Sequence, residues 1–252
     1  MSFDVAPDAY TRFMGVYSEP LAARFVELLG LRPGHRALDV GCGPGVLTAQ
    51  LAERLGASGV VAIDPSPPFV EAARHRIPGV EVHEGSAEDL PFPDDGFDLT
   101  VAQLVVHFMS DPVAGLAEMA RVTRPGGLVA ANVWDHAGIG GPLTTFWRAV
   151  RDVDPRAIDE SALPGTREGH LAQLFADAGL SDLESGSITV TVGFESFDQW
   201  WAPYEMGVGP AGTYVAGLDD RARASLEQAC RGYLPEPPFD VDASAWWVTA
   251  RA

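Results

Sequence analysis

The chain has 252 residues, 46% of them hydrophobic, and a formal net charge of −18. That length and composition suit a folded chain with a sizeable core and exclude a disordered one. The acidic balance disfavours nucleic acid and anionic membrane as partners, because both would be repelled.

Residues 8–30 precede the first strand. Tyr10, Phe13, Met14 and Tyr17 fall on one helical face there, and PLAARFVELLG predicts a second helix. RALDV (36–40) is a short apolar run ending at glycines, which predicts a buried strand. In GVLTAQLAERLG, Leu47, Leu51 and Leu55 recur at every fourth position and Gly56 is the stop, so a helix follows. GVVAID (59–64) predicts a second strand, and PPFVEAARHR a helix with prolines at its tolerated first positions. GVEVHEG and FDLTVAQLVV (97–106) predict strands three and four. DPVAGLAEMARV is a helix with Asp111 as N-cap and Pro112 first inside. RPGG (124–127) predicts a turn and LVAANVW (128–134) a fifth strand. Strands separated by helices of this length make βαβ units, hence a parallel sheet with right-handed crossovers. Further on, GTREGHLAQLFADAGL predicts a helix capped by Thr166 and stopped by Gly179. LSDLESGSITVTVGF (180–194) alternates Ile188, Val190 and Val192 with polar residues, and SAWWVTARA reads as a last strand. The stretch between them, about 195–240, is rich in Pro, Gly and aromatics, with a helical part near DDRARASLEQACRGY. No repeat or low-complexity linker divides the chain. We expect one domain over 1–252: a helical cap (8–33), a ligand-binding core (34–135) and a C-terminal half (136–252) with a lid inserted at about 195–240.

The chemistry concentrates in ALDVGCGPG. A strand that runs into a glycine-rich turn and then a helix is a general nucleotide-binding device, in which bare backbone approaches the ligand. A phosphate loop needs Lys and then Ser or Thr after the glycines, and Val46-Leu47-Thr48 stands there instead. A dinucleotide fold places its third glycine three residues after the second, whereas Gly41, Gly43 and Gly45 alternate here. Asp39 precedes them, and an anion beside the turn suits a ligand carrying positive charge rather than a pyrophosphate.

Asp39-x-Gly41-x-Gly43-x-Gly45 resembles the first motif of the class I S-adenosylmethionine-dependent methyltransferases. VVAIDPSPPFVEAAR resembles their second motif, EGSAEDLPFPDDGFD their third and VTRPGGLVAANVW their last core motif. The opening YTRFMGVYSEPLAARFVELLGLRPGHRALDVGCGPG is similar to that of the small-molecule subgroup that includes the ubiquinone- and menaquinone-biosynthesis enzymes. The resemblance covers about residues 8–135. It implies a Rossmann-like α/β fold: a seven-stranded, mostly parallel sheet, helices on both faces and an antiparallel pair at one edge. It implies S-adenosylmethionine as cofactor and S-adenosylhomocysteine as product; no metal is expected. No His, Cys and Asp cluster has metal-ligand spacing either.

By that resemblance Asp64 holds the ribose hydroxyls, with Pro65 beside it, and Phe69 packs on the adenine. Gly41, Cys42 and Gly43 form the turn, with Cys42 as a small filler. The family often has GDAE where this chain has Gly85-Ser86-Ala87-Glu88, so the adenine amino group is left to Ser86, Glu88 or the backbone of Ala87. Gln103 and Leu104 end strand four, where the crevice lies. Tyr10 is placed over the methionine end. His107 follows closely and is the candidate general base, needed only for a hydroxyl or acidic-carbon acceptor, with Tyr10 and His136 as substitutes. Phe194, Phe197, Trp200, Trp201 and Tyr204 crowd into eleven residues. Trp200, Trp201 and Tyr204, with Phe13, Tyr17 and Trp134, are expected to line an acceptor pocket suited to a small apolar or aromatic molecule. The rival readings are a protein that binds the cofactor without transfer and, against the glycine spacing, a dinucleotide-dependent oxidoreductase. MSFDVAPDAY has no apolar centre for a signal sequence, no apolar run reaches the roughly 18 residues of a membrane span, and two cysteines make no disulfide framework. A reduced, cytoplasmic protein is expected.

Overall fold

In a computed structural model describing residues 7–252, the first two strands are apolar except for one acid each, Asp39 and Asp64, because both of their faces are covered. β1 (Ala37–Val40) and β2 (Val60–Asp64) are buried at every position, as parallel strands between two helix layers must be. The first six residues of the MSFDVAPDAY stretch lie outside the described residues. β3 (Glu81–Glu84), β4 (Phe97–Gln103), β5 (Thr123–Trp134), β6 (Ser181–Phe194) and β7 (Phe239–Arg251) complete one sheet in the order β3-β2-β1-β4-β5-β7-β6. The first five strands are parallel, and β7 runs antiparallel to both β5 and β6. The chain steps outward from β1 to β3 and then crosses back to β4. That reversal opens a crevice at the carboxyl ends of β1 and β4.

Alternate strand residues serve opposite layers. Ala62, Val101 and Ala130 pack with α2 (Val16–Leu28), α3 (Val46–Leu55) and α4 (Pro67–Arg76). Leu38, Ile63 and Val129 pack with α5 (Pro112–Val122) and α7 (His170–Asp177). Asp111 caps α5 by accepting the Ala114 N–H at 3.0 Å, and Gly56 ends α3 with a φ of 78°. Between β6 and β7 lies the lid: α8 (Phe197–Trp201), α9 (Gly209–Ala216) and α10 (Asp220–Tyr233), packed on α6 (Thr144–Val153). No helix among the described residues is long and apolar enough to cross a membrane.

Four local expectations are corrected. The N-terminal segment is not two helices. α1 (Pro7–Tyr10) passes through a π-turn (Thr11–Gly15) into α2 without leaving helical geometry, and Pro20 lies inside α2. Burial of Tyr17, Leu21 and Phe25 on one face outweighs the ~3 kcal/mol that an interior proline costs. The RPGG stretch is no turn before a strand. It bulges within β5, whose register moves from Phe97↔Thr123 to Leu99↔Leu128. Thr166 does not cap α7. Its hydroxyl donates to the carbonyls of Ser161 and Leu163, and Gly169 stands at the N-cap with a φ of 75°. The last strand starts at Phe239, five residues before SAWWVTARA, because its antiparallel pairing with β6 extends to Phe194.

Candidate active site

The carboxyl ends of β1, β2 and β4 surround a cavity of about 470 Å³. Tyr10, Asp39, Gly41, Cys42, Gly43, Asp64, Pro65, Phe69, Ser86, Ala87, Glu88, Gln103 and Leu104 all line it. Its floor is the turn after β1, where Gly41 and Cys42 donate to the Ile63 carbonyl at 2.8 and 3.1 Å. Gly41, Gly43 and Gly45 have φ of 69°, 54° and 84°, the left-handed region that favours glycine. Their surroundings differ. A Cβ on Gly41 would lie 2.3 Å from the Val105 side chain, whereas one on Gly43 would meet nothing within 4 Å. Gly43 therefore presents bare backbone to open space. Gly41→Ala is expected to lower the melting temperature, since overpacking costs about 1–3 kcal/mol and left-handed strain about 1–2 more. Gly43→Ala is expected to lose only the strain term while its methyl obstructs the cavity. Thermal melts paired with ligand calorimetry separate the two, and equal stability losses would refute the distinction.

Two buried acids face this cavity. Asp64 Oδ2 accepts the Gly43 N–H and Oδ1 the Ser66 N–H, each at 2.8 Å. Each oxygen retains acceptor capacity. Burial raises its carboxyl above the ordinary value against the pull of those two N–H groups. Asp39 is 1% exposed and accepts the Thr48 hydroxyl at 2.6 Å. Burial pushes its carboxyl up to about 7; Thr48 opposes the rise and the nearby Asp64 adds to it. Among the described residues no Lys, Arg or His lines the cavity. Such a site holds unspent negative charge, which a cation relieves.

The rest of the wall is partly committed. Burial alone would raise the Glu88 carboxyl, but the Ser86 hydroxyl and the backbone N–H groups of Ser110 and Asp111 bind it and set it below its usual value. Glu88 thus fixes its own loop, and Ser86 is bound to it. The Cys42 thiol is driven well above its ordinary value by burial and by Asp39 and Asp64, which suits a filler and not a nucleophile. Tyr10 and Phe69 meet at 5.4 Å between ring centroids. Gln103 Nε2 donates to the Ser18 carbonyl at 3.3 Å, leaving Oε1 buried without a partner among the described residues. Leu104 has a φ of 60°. Such strain in a leucine is uncommon and clusters at active sites and ligand clamps, and no sequence pattern announces it.

A smaller cavity of about 40 Å³ adjoins the first through Tyr10, Leu104 and Phe108. Phe13, His107 and Trp134 line it, as do His136, Glu160 and residues 208–211 of the lid. Burial holds the His107 imidazole well below its ordinary value, with His136 adding to the effect, and burial lowers His136 to about 4. Tyr17, Trp200, Trp201 and Tyr204 line neither cavity. They form a buried aromatic layer by which the lid residues Trp200, Trp201 and Tyr204 pack on the rest of the chain, with Tyr204 stacked 4.5 Å from Phe146 and Phe13 edge-on to Tyr204 at 5.0 Å. Sequence reasoning passes over Glu160 because the two adjacent acids of DESALPG read as solvated loop residues. Among the described residues no group of three or more His, Cys, Asp or Glu is placed to hold a metal ion.

Comparison with known proteins agrees with this architecture. A family described as a methyltransferase domain matches residues 38–131. A demethylmenaquinone methyltransferase of Renibacterium salmoninarum is 31% identical over 172 residues, spanning 63% of this chain and 71% of that protein. An uncharacterized 37.1 kDa protein of a Streptomyces fradiae transposon is 37% identical over 162 residues, 62% of this chain but 46% of its own length. The fold is shared with the YcgJ protein of Bacillus subtilis at a TM-score of 0.60 and 20% identity, covering 91% of this chain and 97% of that one. With the motifs after β1 and β2 at the floor of the larger cavity, the chain belongs to the class I S-adenosylmethionine-dependent methyltransferases of the small-molecule type.

Proposed function

We propose that the chain transfers a methyl group from S-adenosylmethionine to a small, apolar or aromatic acceptor by in-line displacement, leaving S-adenosylhomocysteine. The observation that carries this reading is the charge of the larger cavity: two buried acids, no basic residue among the described residues, and bare backbone at Gly43. A pyrophosphate would be repelled there, while a ligand with a sulfonium and an ammonium is attracted. The cofactor, when bound, supplies an already electrophilic methyl group. The residues would do the rest. Asp64 accepts the ribose hydroxyls with its remaining lone pairs, Pro65 beside it. Phe69 packs on the adenine, and Ser86 or the Ala87 backbone meets its amino group. Asp39 offsets positive charge, Tyr10 covers the methionine end, and Gln103 and Leu104 close the wall. The buried, unpartnered Gln103 Oε1 is a ready acceptor for a ligand N–H. Alignment and exclusion of water are then the main sources of rate. In this single domain, residues 8–33 act as the cap, 34–135 hold the cofactor, and 136–252 supply the acceptor side with the lid.

The test is transfer of label from methyl-tritiated S-adenosylmethionine to a panel of phenols and arylamines, and to a lipid-soluble cell extract. Label is expected in the organic phase. If calorimetry shows tight S-adenosylhomocysteine binding while no acceptor takes label, the chain is a cofactor-binding protein and the transfer reading fails.

A further inference from the structure

The smaller cavity is walled mostly by apolar groups, yet Trp134, His107 and Glu160 among the residues lining it carry polar atoms without a protein partner among the described residues. Trp134 Nε1 and His107 Nδ1 are fully buried and make no hydrogen bond. Glu160 is 5% exposed, and of its two oxygens only Oε2 is engaged, accepting the Trp147 Nε1–H at 3.0 Å. We infer that Glu160 meets the acceptor: it accepts a hydrogen bond from the hydroxyl or N–H of a small aromatic molecule and takes that proton as the methyl group moves. This rests on the methyl-transfer reading above and names the substrate class and a residue that would act on it.

A carboxyl group is costly in an apolar wall unless it is satisfied. Trp147 satisfies one oxygen from behind and fixes the group's orientation, which leaves Oε1 for a donor. At about 40 Å³ this cavity takes only the heteroatom end of the acceptor, and the ring extends past Leu104 toward the larger cavity, with Tyr10 and Phe108 lining both. The cavity adjoins the larger one at Leu104, so a heteroatom held at Glu160 lies on the side from which a methyl group would come. In the step, a bond forms between the acceptor heteroatom and the methyl carbon. The sulfur–methyl bond breaks with its electron pair left on sulfur, and the acceptor's proton passes to Glu160 Oε1 and later to water.

The neighbouring titratable groups leave Glu160 as the base. His107 and His136 across the cavity are held neutral and weakly basic by burial. Burial raises the hydroxyls of Tyr10, from the N-terminal helix, and Tyr204, from the lid. Asp159, next in the chain, is paired with Arg151 at 2.6 Å. Burial pushes the Glu160 carboxyl up to about 7, Trp147 draws it down and Asp159 adds to the rise. A base is most effective when its pKa lies near the working pH.

The test compares wild type, Glu160→Gln and Trp147→Phe in methyl transfer to p-nitrophenol, catechol and aniline across pH, with S-adenosylhomocysteine affinity measured alongside. Aniline does not itself titrate near neutrality. Wild-type kcat is expected to rise with pH through about 7. Glu160→Gln keeps an oxygen for Trp147, yet should lower kcat roughly 10²–10⁴-fold and abolish that rise while S-adenosylhomocysteine still binds. Trp147→Phe removes the donor that lowers the carboxyl and should move the rise to higher pH. If Glu160→Gln turns over like wild type with the same pH profile, Glu160 merely anchors Trp147 and the inference is overturned. If wild type binds S-adenosylhomocysteine but methylates none of the three probes, the acceptor class fails, and the inference with it.

Discussion

Asp64→Ala is expected to weaken S-adenosylmethionine binding on the order of 10²-fold while leaving the fold intact. Hydrogen bonds to a charged group contribute roughly 1.5–3 kcal/mol each, and the carboxylate has acceptor capacity left for both ribose hydroxyls after serving Gly43 and Ser66. Two such bonds at the lower figure give about 3 kcal/mol, or two decades at ~1.4 kcal/mol per decade. Freeing the Gly43 and Ser66 N–H groups adds disorder to the turn that cradles the ligand. Calorimetry with S-adenosylhomocysteine is the direct measurement, and an unchanged Kd in a folded variant would remove the ribose role. The pH dependence has a fixed sign. A group whose carboxyl is raised by burial loses its charge as pH falls through that raised value, so affinity for a cationic ligand falls with it. Asp39, up at about 7, acts in the same direction, and affinity should therefore rise between about pH 6 and 8.

The parts of the site that were legible in the sequence are those in which backbone does the work. A four-residue strand buried on both faces has to be mostly apolar, a turn with three left-handed residues has to be glycine-rich, and the acids Asp39 and Asp64 have to stand at the carboxyl ends of the strands that aim them. Each of those demands acts on neighbouring residues, so a short window records it. Pro20 inside α2 is different. The helix survives because Tyr17, Leu21 and Phe25 are buried by distant elements, and nothing local registers that burial. RPGG carries true turn chemistry, but the neighbouring strand accommodates it as a bulge, with Arg124 reaching Asp98 at 2.7 Å. Glu160 is hidden for the same reason: its meaning comes from Trp147, His107 and the lid, which meet it only in three dimensions. The aromatic cluster at 194–204 was visible as composition, but composition cannot tell a pocket lining from a packing layer.

That difference can be measured at Trp200. Trp200→Ala is expected to destabilise the protein by about 3–5 kcal/mol, the usual cost of truncating a buried aromatic, against a total stability of roughly 5–15 kcal/mol for a domain. Trp200 is 2% exposed and meets Phe197, Trp201 and Tyr204 at 5.7, 6.4 and 4.9 Å between ring centroids. Tyr204 in turn stacks on Phe146 and meets Phe13 edge-on, so the layer joins the lid to both α6 and the N-terminal helix. A hole at Trp200 therefore loosens the lid as a unit while leaving the larger cavity, on the far side of Leu104, in place. Urea titration should show the loss, and the remaining folded protein should bind S-adenosylhomocysteine as the wild type does. Trp134 is the contrast. It lines the smaller cavity, and its buried Nε1 has no partner among the described residues. Trp134→Phe deletes an unsatisfied donor and keeps a ring, so it should change stability little and act on acceptor KM instead. If Trp200→Ala left stability untouched and raised acceptor KM, the aromatic layer would be part of the acceptor site, and the small cavity around Glu160 would be only one corner of it.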